Sequence, residues 1–248
     1  MRYLNNLFCL LLCLFALPGN ASDLKGLTFA TEAYPPYNFK EAGKLQGIAV
    51  DLLVSASAQA GSPITTKDIR LLPWARAYKM AEKGPNVVLF STTRTEERES
   101  KFQWVGPISK TRVVLLTKKS SGISISSEAD MKALTIGAIR DDIGQQLVKA
   151  AGVGDQSIKL ISKAENLAQM LNHGRIDAWA YEENVARWFI KQRGFNNEEF
   201  ETAYVLKESD LYYTFSKDVS KDVLNILQGG IDAVKASGEY DKILGGYL

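Results

Sequence analysis

Four short segments of the chain carry the side chains that could recognise a small charged molecule. Arginine forms paired hydrogen bonds with a carboxylate, hydroxyl and backbone N–H groups bind anions, and an acidic side chain pairs with an ammonium group. Indole and phenol rings supply flat apolar walls for the rest of such a molecule. The segments are Glu32–Phe39, Pro73–Tyr78, Ser91–Arg98 and Gly174–Glu183.

The first two segments combine aromatic rings with proline or arginine. In Glu32–Phe39, two adjacent prolines follow Tyr34 and stiffen a loop that presents aromatic rings. The alternative is a packed turn with buried aromatics. In the second segment Trp74 could stack on a ligand and Arg76 could meet its carboxylate. The alternative is a core tryptophan beside an arginine in a surface ion pair.

The other two segments supply hydroxyl, guanidinium and carboxyl groups. Ser91 and Thr93 follow an apolar strand pattern and could bind an anion, to which Arg98 would add two parallel donors. The alternative for this segment is a solvated charged helix. Glu182 stands at the end of a predicted strand, where it could pair with an ammonium group. A carboxylate that merely stabilises a helix start is the other interpretation, and it fits Glu183 better.

No catalytic or metal-binding pattern accompanies these segments. His173 is the single histidine and lies in a polar turn, where we expect it to be exposed. The two cysteines, Cys9 and Cys13, both lie near the N-terminus. Cys/His zinc spacing, a Ser-His-Asp set and a phosphate-binding glycine loop are all missing from the sequence. We therefore predict no catalytic residue, no metal and no cofactor.

The N-terminus has the pattern of a secretory signal peptide. A basic residue precedes the apolar run Leu7–Leu17, which is far shorter than the roughly 20 residues that span a bilayer, and small residues follow up to Ala21. We predict cleavage after Ala21, so that residues 1–21 are removed and the protein reaches the periplasm. A lipid anchor on Cys9 or Cys13 is the alternative, although a bulky residue precedes each cysteine.

Composition predicts a soluble globular protein without nucleic-acid affinity. The 248 residues include 30 Lys and Arg against 28 Asp and Glu, and the basic residues are scattered rather than clustered. No later run of 18 apolar residues is present. Because both cysteines fall in the predicted signal peptide, no disulfide can hold the mature chain together. Stability must come from burial, for which the length is ample.

The segments named above are positioned by strands and helices that alternate in two series. The first has strands at Leu27–Ala30, Ile69–Leu72 and Val87–Ser91 and helices at Ile48–Gln59 and Trp74–Glu82. The second has strands at Thr135–Ala138, Ile158–Ile161 and Ala178–Tyr181 and helices at Ile143–Ala150, Ala164–Leu171 and Glu183–Arg193. A strand at Leu211–Ser216 and a helix at Val223–Ala236 end the chain.

This alternation predicts an α/β protein with two parallel sheets, and hence two lobes that form a ligand cleft. The polar Ser/Gly stretch Lys118–Ser127 separates the two series. We place lobe 1 at residues 22–112 plus 211–248 and lobe 2 at residues 113–210.

In their order and spacing, several motifs resemble those of the family 3 extracellular solute-binding proteins, the polar amino-acid-binding proteins of ABC importers. The matching motifs are Tyr34–Tyr37, Gly47–Leu52, Thr95–Arg98 leading to Phe102, and Gly174–Ala178. The resemblance covers nearly the whole mature chain. It implies a two-lobed periplasmic-binding-protein-like fold in which each lobe is a central sheet flanked by helices, joined by two hinge strands.

The resemblance also implies roles for individual residues. Arg98 would hold the α-carboxylate of the ligand, assisted by Thr93 and Ser91. Tyr34 and Trp74 would form aromatic walls. Glu182 falls where the family usually has an aspartate for the α-ammonium group, and it reaches about one methylene further.

One departure from the family pattern affects the second lobe. Where the family has a Gly-Thr-Thr-like turn that helps to bind the carboxylate, this chain reads Arg140-Asp141-Asp142. Asp142 would repel a ligand carboxylate unless Arg140 neutralises it. Together with Arg76, this suggests a site rebuilt for a different ligand.

The leading hypothesis is a non-enzymatic, monomeric receptor for a small carboxylate-bearing ligand, an amino acid or a relative. Closure at hinges near Val113–Leu116 and Leu206–Leu211 would bury the ligand. The closed form would be recognised by the permease of an ABC importer or by a sensor protein. The alternative is a periplasmic dehydratase-like enzyme that acts on a cyclic carboxylate, with Glu182 or Asp142 as the acid.

Overall fold

The computed structural model describes residues 23–247. The predicted signal peptide, residues 1–21, lies outside these described residues. Within them, no helix has the length and apolar character needed to cross a membrane.

Ten strands form the β-structure of the described chain. They are β1 Thr28–Thr31, β2 Phe39–Glu41, β3 Lys44–Gln46, β4 Ile69–Leu71, β5 Val87–Thr93, β6 Gln103–Lys118, β7 Ile136–Ile139, β8 Ile158–Ile161, β9 Ala178–Glu182 and β10 Phe200–Phe215. Apart from the β2–β3 hairpin, they join in one eight-stranded sheet of order β4-β1-β5-β10-β6-β9-β7-β8.

Nine α-helices cover this sheet within residues 23–247. They are α1 Ile48–Gln59, α2 Trp74–Lys83, α3 Glu96–Glu99, α4 Glu128–Met131, α5 Ile143–Ala150, α6 Ala164–Asn172, α7 Glu183–Gln192, α8 Lys221–Ala236 and α9 Glu239–Gly245. The helices α1 and α5 and the strand β8 have the bounds predicted from the sequence, and most other predicted elements shift by one or two residues.

Two long strands connect the two series of elements. β6 and β10 are 16 residues long each and pair antiparallel along most of their length. We call the part built on β4, β1 and β5 the first lobe, and the part built on β9, β7 and β8 the second lobe. The sequence predicted two separate sheets, but the β6–β10 pair runs through both lobes and joins their hydrogen-bonded ladders. The exact lobe boundaries, and hinge motion near residues 113–116 and 206–211, remain predictions.

The central strands are buried on both faces. Every residue of β5 and of β9 is buried, as expected for parallel-sheet strands covered by helices on both sides. The parallel strands β4, β1 and β5 end on one edge of the first lobe, and the parallel strands β8, β7 and β9 end on one edge of the second. Ligands of α/β folds bind beyond such carboxyl ends, so the loops that follow these strands define where a site can lie.

Candidate functional site

Arg98 is at the centre of a buried group of polar side chains between the lobes. The Thr95 side chain caps α3 by accepting the backbone N–H of Arg98 at 3.3 Å. The Arg98 side chain is fully buried, and its Nη1 donates to the backbone oxygen of Thr93 at 3.2 Å. Its Nε and Nη2 have no hydrogen-bond partner among residues 23–247. These two N–H groups form a planar fork that matches the two oxygens of a carboxylate.

Two aromatic rings hold the Arg98 guanidinium in place. Its Cζ lies 5.4 Å from the ring centroid of Trp74 and 5.2 Å from that of Tyr78. The two rings are themselves 5.6 Å apart and both belong to α2, which follows β4. Cation–π attraction of this kind strengthens when the site is dry. The rings therefore fix the direction of the guanidinium fork.

Three carboxyl groups are buried between the lobes, and each lies at or just beyond the end of a strand. Glu32 follows β1, Asp142 lies between β7 and α5, and Glu182 ends β9. Glu182 is fully buried, and Asp142 and Glu32 retain 3% and 8% of their exposure. Asp142 accepts the backbone N–H of Gly144 at 3.3 Å, and Glu182 accepts that of Val185 at 2.8 Å. The last two carboxyls thus cap α5 and α7.

Burial raises the pKa of all three carboxyl groups. For Glu182 it raises the pKa to about 7, against hydrogen bonds from a backbone N–H and from Tyr37 that lower it. Burial, and then the charge of Asp142, raise the pKa of Glu32, while Arg98 lowers it. Burial also raises the pKa of Asp142, with Arg98 the main opposing influence. Arg98 thus interacts with Glu32 and Asp142, whereas Glu182 is influenced mainly by its own hydrogen-bond donors. Within residues 23–247 the region between the lobes holds three buried acids and one buried arginine, and it has an excess of negative charge when all are ionised.

Three hydrogen bonds cross from one lobe to the other beside this group. The indole Nε1 of Trp74, in the first lobe, donates to the backbone oxygen of Asp141 at 2.9 Å. The hydroxyl of Tyr37, also in the first lobe, donates to Oε1 of Glu182 at 3.1 Å. Asn184 donates to the same Tyr37 oxygen at 3.3 Å. These contacts hold the lobes in a closed arrangement.

The rings of Tyr34 and Tyr181 also meet across the lobes. Their centroids are 5.5 Å apart in an edge-to-face arrangement, and both residues are buried. The Tyr181 hydroxyl has no hydrogen-bond partner in the described part of the chain. It is a further polar group within the closed region.

The remaining residues predicted for the site divide into two kinds. Ser91 donates its hydroxyl hydrogen to the side-chain oxygen of Asn38, and Thr93 is buried beside Arg98 as described above. The side chains of Arg76 and Arg140 are exposed and lie outside the buried group. Leaving a guanidinium in water avoids the cost of desolvating it. The cation that interacts with Asp142 is therefore Arg98 and not Arg140. Ligand contacts of all these residues remain predictions.

Two cavities lined by residues of both lobes lie at the edge of the closed region. One, of about 240 Å³, lies between Glu32, the β4–α2 turn and the β8–α6 turn. The other, of about 360 Å³, lies between α2, α3 and the start of α5. Pro73 lines the first and Ala75 the second, so the two cavities flank Trp74.

This geometry agrees with the family that the sequence matches. The model of the bacterial extracellular solute-binding proteins, family 3, matches residues 27–248. The chain belongs to this family. The resemblance seen in the sequence motifs is therefore confirmed, and the protein is a solute-binding protein.

Curated relatives of this family 3 protein are themselves binding proteins. The arginine-binding extracellular protein ArtP of Bacillus subtilis is 29% identical over 189 residues, which are 74% of this chain and 71% of that protein. A probable histidine-binding protein of Campylobacter jejuni is 24% identical over 222 residues, 86% of this chain and 81% of that protein.

A solved structure supports the fold. A histidine kinase sensor domain with similarity to periplasmic binding proteins superposes with a TM-score of 0.78 at 18% identity. The superposition covers 89% of this chain and 96% of that one. The two-lobed fold predicted from the sequence is thereby confirmed.

Several members of the buried group are not among the residues that the sequence predicts for the site. Glu32, Tyr37, Tyr78 and Tyr181 lie within the four segments, but the sequence predicts no ligand contact for them. The available signal was their position beyond or at the end of a strand, next to residues that were assigned. Asn38 lies in the first segment and Asn184 just after the fourth, but amides are common in turns, so residue type distinguishes neither.

Proposed function

We propose that this protein binds a free amino acid between its two lobes. The observation that carries the proposal is the fully buried Arg98, whose Nε and Nη2 have no partner within the described residues. An unpaired guanidinium edge in a dry site is costly unless a ligand satisfies it. A carboxylate satisfies both donors at once.

The excess of acid favours an amino acid that carries a second positive charge. Three buried carboxyls oppose one arginine, so a ligand with a cationic side chain balances the group better than a neutral one does. The names of the arginine-binding and probable histidine-binding relatives agree with this choice. We therefore propose arginine, lysine or histidine, the last in its imidazolium form, as the ligand class.

Each group then receives a role. Arg98 holds the α-carboxylate, and Glu182, ionised, pairs with the α-ammonium group. Glu32 lines the cavity of about 240 Å³ at the edge of the closed region. Lys163 and Glu165 line the same cavity and have opposite charges. Glu32 is the buried acid there, and it is placed to meet the cationic end of a side chain that extends into the cavity.

The ligand-bound protein would deliver its ligand to a membrane partner. Membership of an extracellular family supports export, and we propose that residues 1–21 are the cleaved signal and that the mature protein works in the periplasm. The partner is the permease of an ABC importer. A sensor protein that recognises the closed form is the other candidate.

A thermal-shift screen of residues 22–248 against the twenty standard L-amino acids tests the proposal. A ligand at 100 times its Kd adds about 2.7 kcal/mol to the free energy of unfolding, a rise of roughly 5–10 °C for a chain of this size. We expect arginine, lysine or histidine to give this shift.

The variant Arg98→Lys tests the carboxylate contact. Lysine keeps the charge but loses the planar fork, so we expect the Kd measured by calorimetry to rise at least about 100-fold, as for two lost charge-assisted hydrogen bonds. Arg94→Lys is the matched control, because Arg94 pairs with Glu99 on the surface. Equal affinities of the two variants would contradict the assignment of Arg98.

A dehydratase-like enzyme is the second candidate, and one observation favours it. Burial raises the pKa of Glu182 to about 7, which is the range in which a carboxyl exchanges protons efficiently at neutral pH. Arg98 would then anchor the carboxylate of a cyclic substrate. Turnover of any stabilising compound, followed by mass spectrometry and abolished in Glu182→Gln, would favour the enzyme over the receptor.

A further inference from the structure

The side chain of Asp142 is in an unusual place for a protein that is to bind a carboxylate. It is 97% buried, at the N-terminus of α5, and it is close enough to Arg98 to interact with its charge. A ligand carboxylate on the Nε–Nη2 fork of Arg98 would therefore lie near a second carboxyl group. Two neighbouring carboxylates in a dry site do not both stay ionised.

Charge counting leads to the same conclusion. With Glu32, Asp142 and Glu182 ionised against Arg98, the buried group carries two excess negative charges. A cationic amino acid adds one net positive charge, so one negative charge is still unbalanced. Burial of an unbalanced charge is unfavourable, and uptake of one proton removes it.

The position of each carboxyl indicates which of the three takes the proton. Glu182 accepts hydrogen bonds from Val185 and Tyr37, which favour its ionised form, and it faces the proposed ammonium group. Glu32 faces the cavity assigned to the cationic side chain. Asp142 is the one carboxyl of the three that has no cationic group of the proposed ligand opposite it. The backbone N–H of Gly144 donates to its Oδ2 at 3.3 Å, and that of Ile143 also donates to this carboxyl. A protonated Asp142 can keep one oxygen as acceptor for these donors while the other oxygen carries the hydrogen.

We propose that Asp142 takes up a proton from solvent when the cleft closes on a ligand and donates it in a hydrogen bond to the carboxylate held by Arg98. The inference rests on the proposed function and adds proton-coupled capture to it. Asp142 thereby becomes a residue that determines how binding depends on pH. Ligand capture would strengthen as the medium around the exported protein becomes more acidic.

The groups that face Asp142 from the packed elements are compatible with this role. Arg98 of α3 is the one cation, and Glu32 from the loop after β1 is the nearest acid by its effect on the pKa. Tyr34 and Tyr181 also interact with Asp142, and burial raises the pKa of both hydroxyls well above the ordinary value. These phenols stay neutral at any physiological pH, so neither supplies a competing charge.

Calorimetry on wild type and Asp142→Asn tests the inference. The probes are L-arginine, L-lysine and L-histidine, titrated at pH 7 in phosphate and in Tris, since the difference in enthalpy between the buffers gives the number of protons exchanged. Asparagine has the shape of aspartic acid and a permanent N–H donor. We expect wild type to take up one proton more per ligand than Asp142→Asn, and its Kd to rise about tenfold per pH unit relative to the variant between pH 6 and 8.

Comparison of the two proteins cancels proton exchange at the other carboxyls. Asp155→Asn is the control, because Asp155 is an exposed partner of Lys149, and its proton number should equal that of wild type. Equal proton numbers in wild type and Asp142→Asn would overturn the inference while leaving the proposed function intact. So would a loss of binding above 100-fold in Asp142→Asn with an unchanged melting temperature, because it would show that Asp142 acts as an anion. If none of the three probes binds any of these proteins, the proposed ligand class fails and the inference with it.

Discussion

Arg98 and the three carboxyl groups buried between the lobes require opposite partners. The arginine requires acceptors for two N–H groups, whereas the acids lose solvation without enough cations to replace it. A zwitterionic ligand with an additional positive charge meets both needs. Residues that are costly to bury therefore indicate the chemistry of the ligand more directly than the apolar walls do.

Glu182 allows the cost of that burial to be measured. Its pKa is raised to about 7 in the folded protein from an ordinary value of 4.5. The stability contributed by its protonated form is fully present below pH 4.5 and is lost as the pH rises through 7. We expect Glu182→Gln to be more stable than wild type at pH 8, by up to about 3 kcal/mol, and similar to it at pH 4.5. Urea denaturation of the ligand-free protein at both pH values measures this difference.

The neighbouring Glu183 serves as a control, because its pKa is shifted in the opposite direction. Hydrogen bonds from Thr202 and Arg187 lower its pKa against the effect of burial. Its stabilising contribution is therefore present at neutral pH and is lost on acidification. Glu183→Gln should be less stable than wild type at pH 8. Equal pH profiles for Glu182→Gln and wild type would contradict the raised pKa.

At the scale of elements, helix starts position the acids. Asp142 and Glu182 each cap the helix that follows them, so one side chain both stabilises a helix and faces the cleft. Gly144 permits the first of these arrangements, because a Cβ there would collide with the backbone oxygen of Ala180 in β9. The close approach of α5 to β9 fixes the position of Asp142 relative to Arg98.

Gly229 and Gly230 are adjacent in α8, and substitution of each by alanine distinguishes the effect of helix packing on stability from that of helix propensity. A Cβ on Gly230 would collide with the backbone oxygen of Ala56 in α1, whereas a Cβ on Gly229 meets nothing within 4 Å. We expect Gly230→Ala to lower the free energy of unfolding by about 1–3 kcal/mol, because α1 and α8 must separate. Gly229→Ala should raise it by up to about 1 kcal/mol. Thermal and urea denaturation measure both, and a stabilised Gly230→Ala would refute the close helix contact.

At the scale of the molecule, contacts between the lobes resist opening. The Trp74–Asp141 and Tyr37–Glu182 hydrogen bonds both join the first lobe to the second. The predicted hinge opening would break both bonds, because each joins one lobe to the other. We therefore expect them to lower the free energy that a ligand must supply for closure.

The variant Trp74→Phe tests this effect on closure. Phenylalanine keeps an aromatic ring beside Arg98 but cannot donate to the Asp141 oxygen. We expect a larger radius of gyration of the ligand-free protein by X-ray scattering and an affinity about 5- to 10-fold weaker, as for one lost hydrogen bond. Trp104→Phe is the control, because the Trp104 Nε1 has no partner among the described residues. Identical scattering of Trp74→Phe and wild type would contradict the contribution of this contact.

The sequence alone determined the order of strands and helices, since apolar periodicity and helix starts are local properties. It also placed Arg98, Asp142 and Glu182 at the positions where the buried group forms, because residues beyond parallel strands converge on one edge. It could not distinguish Arg98 from Arg76 and Arg140, which have the same side chain but face solvent. That distinction depends on which side of a turn or helix packs against the other lobe.

Only the tertiary structure brought Glu32, Tyr37 and Tyr181 into the same buried group. Glu32 meets Asp142, Tyr37 meets Glu182 and Tyr181 meets Tyr34, each across more than a hundred residues of chain. It also joined the two predicted sheets through the long β6–β10 pair. Desolvation depends on this packing, and it raises the pKa of each acid. The resulting imbalance of three acids against one arginine is a property of the closed cleft that no single segment of sequence contains.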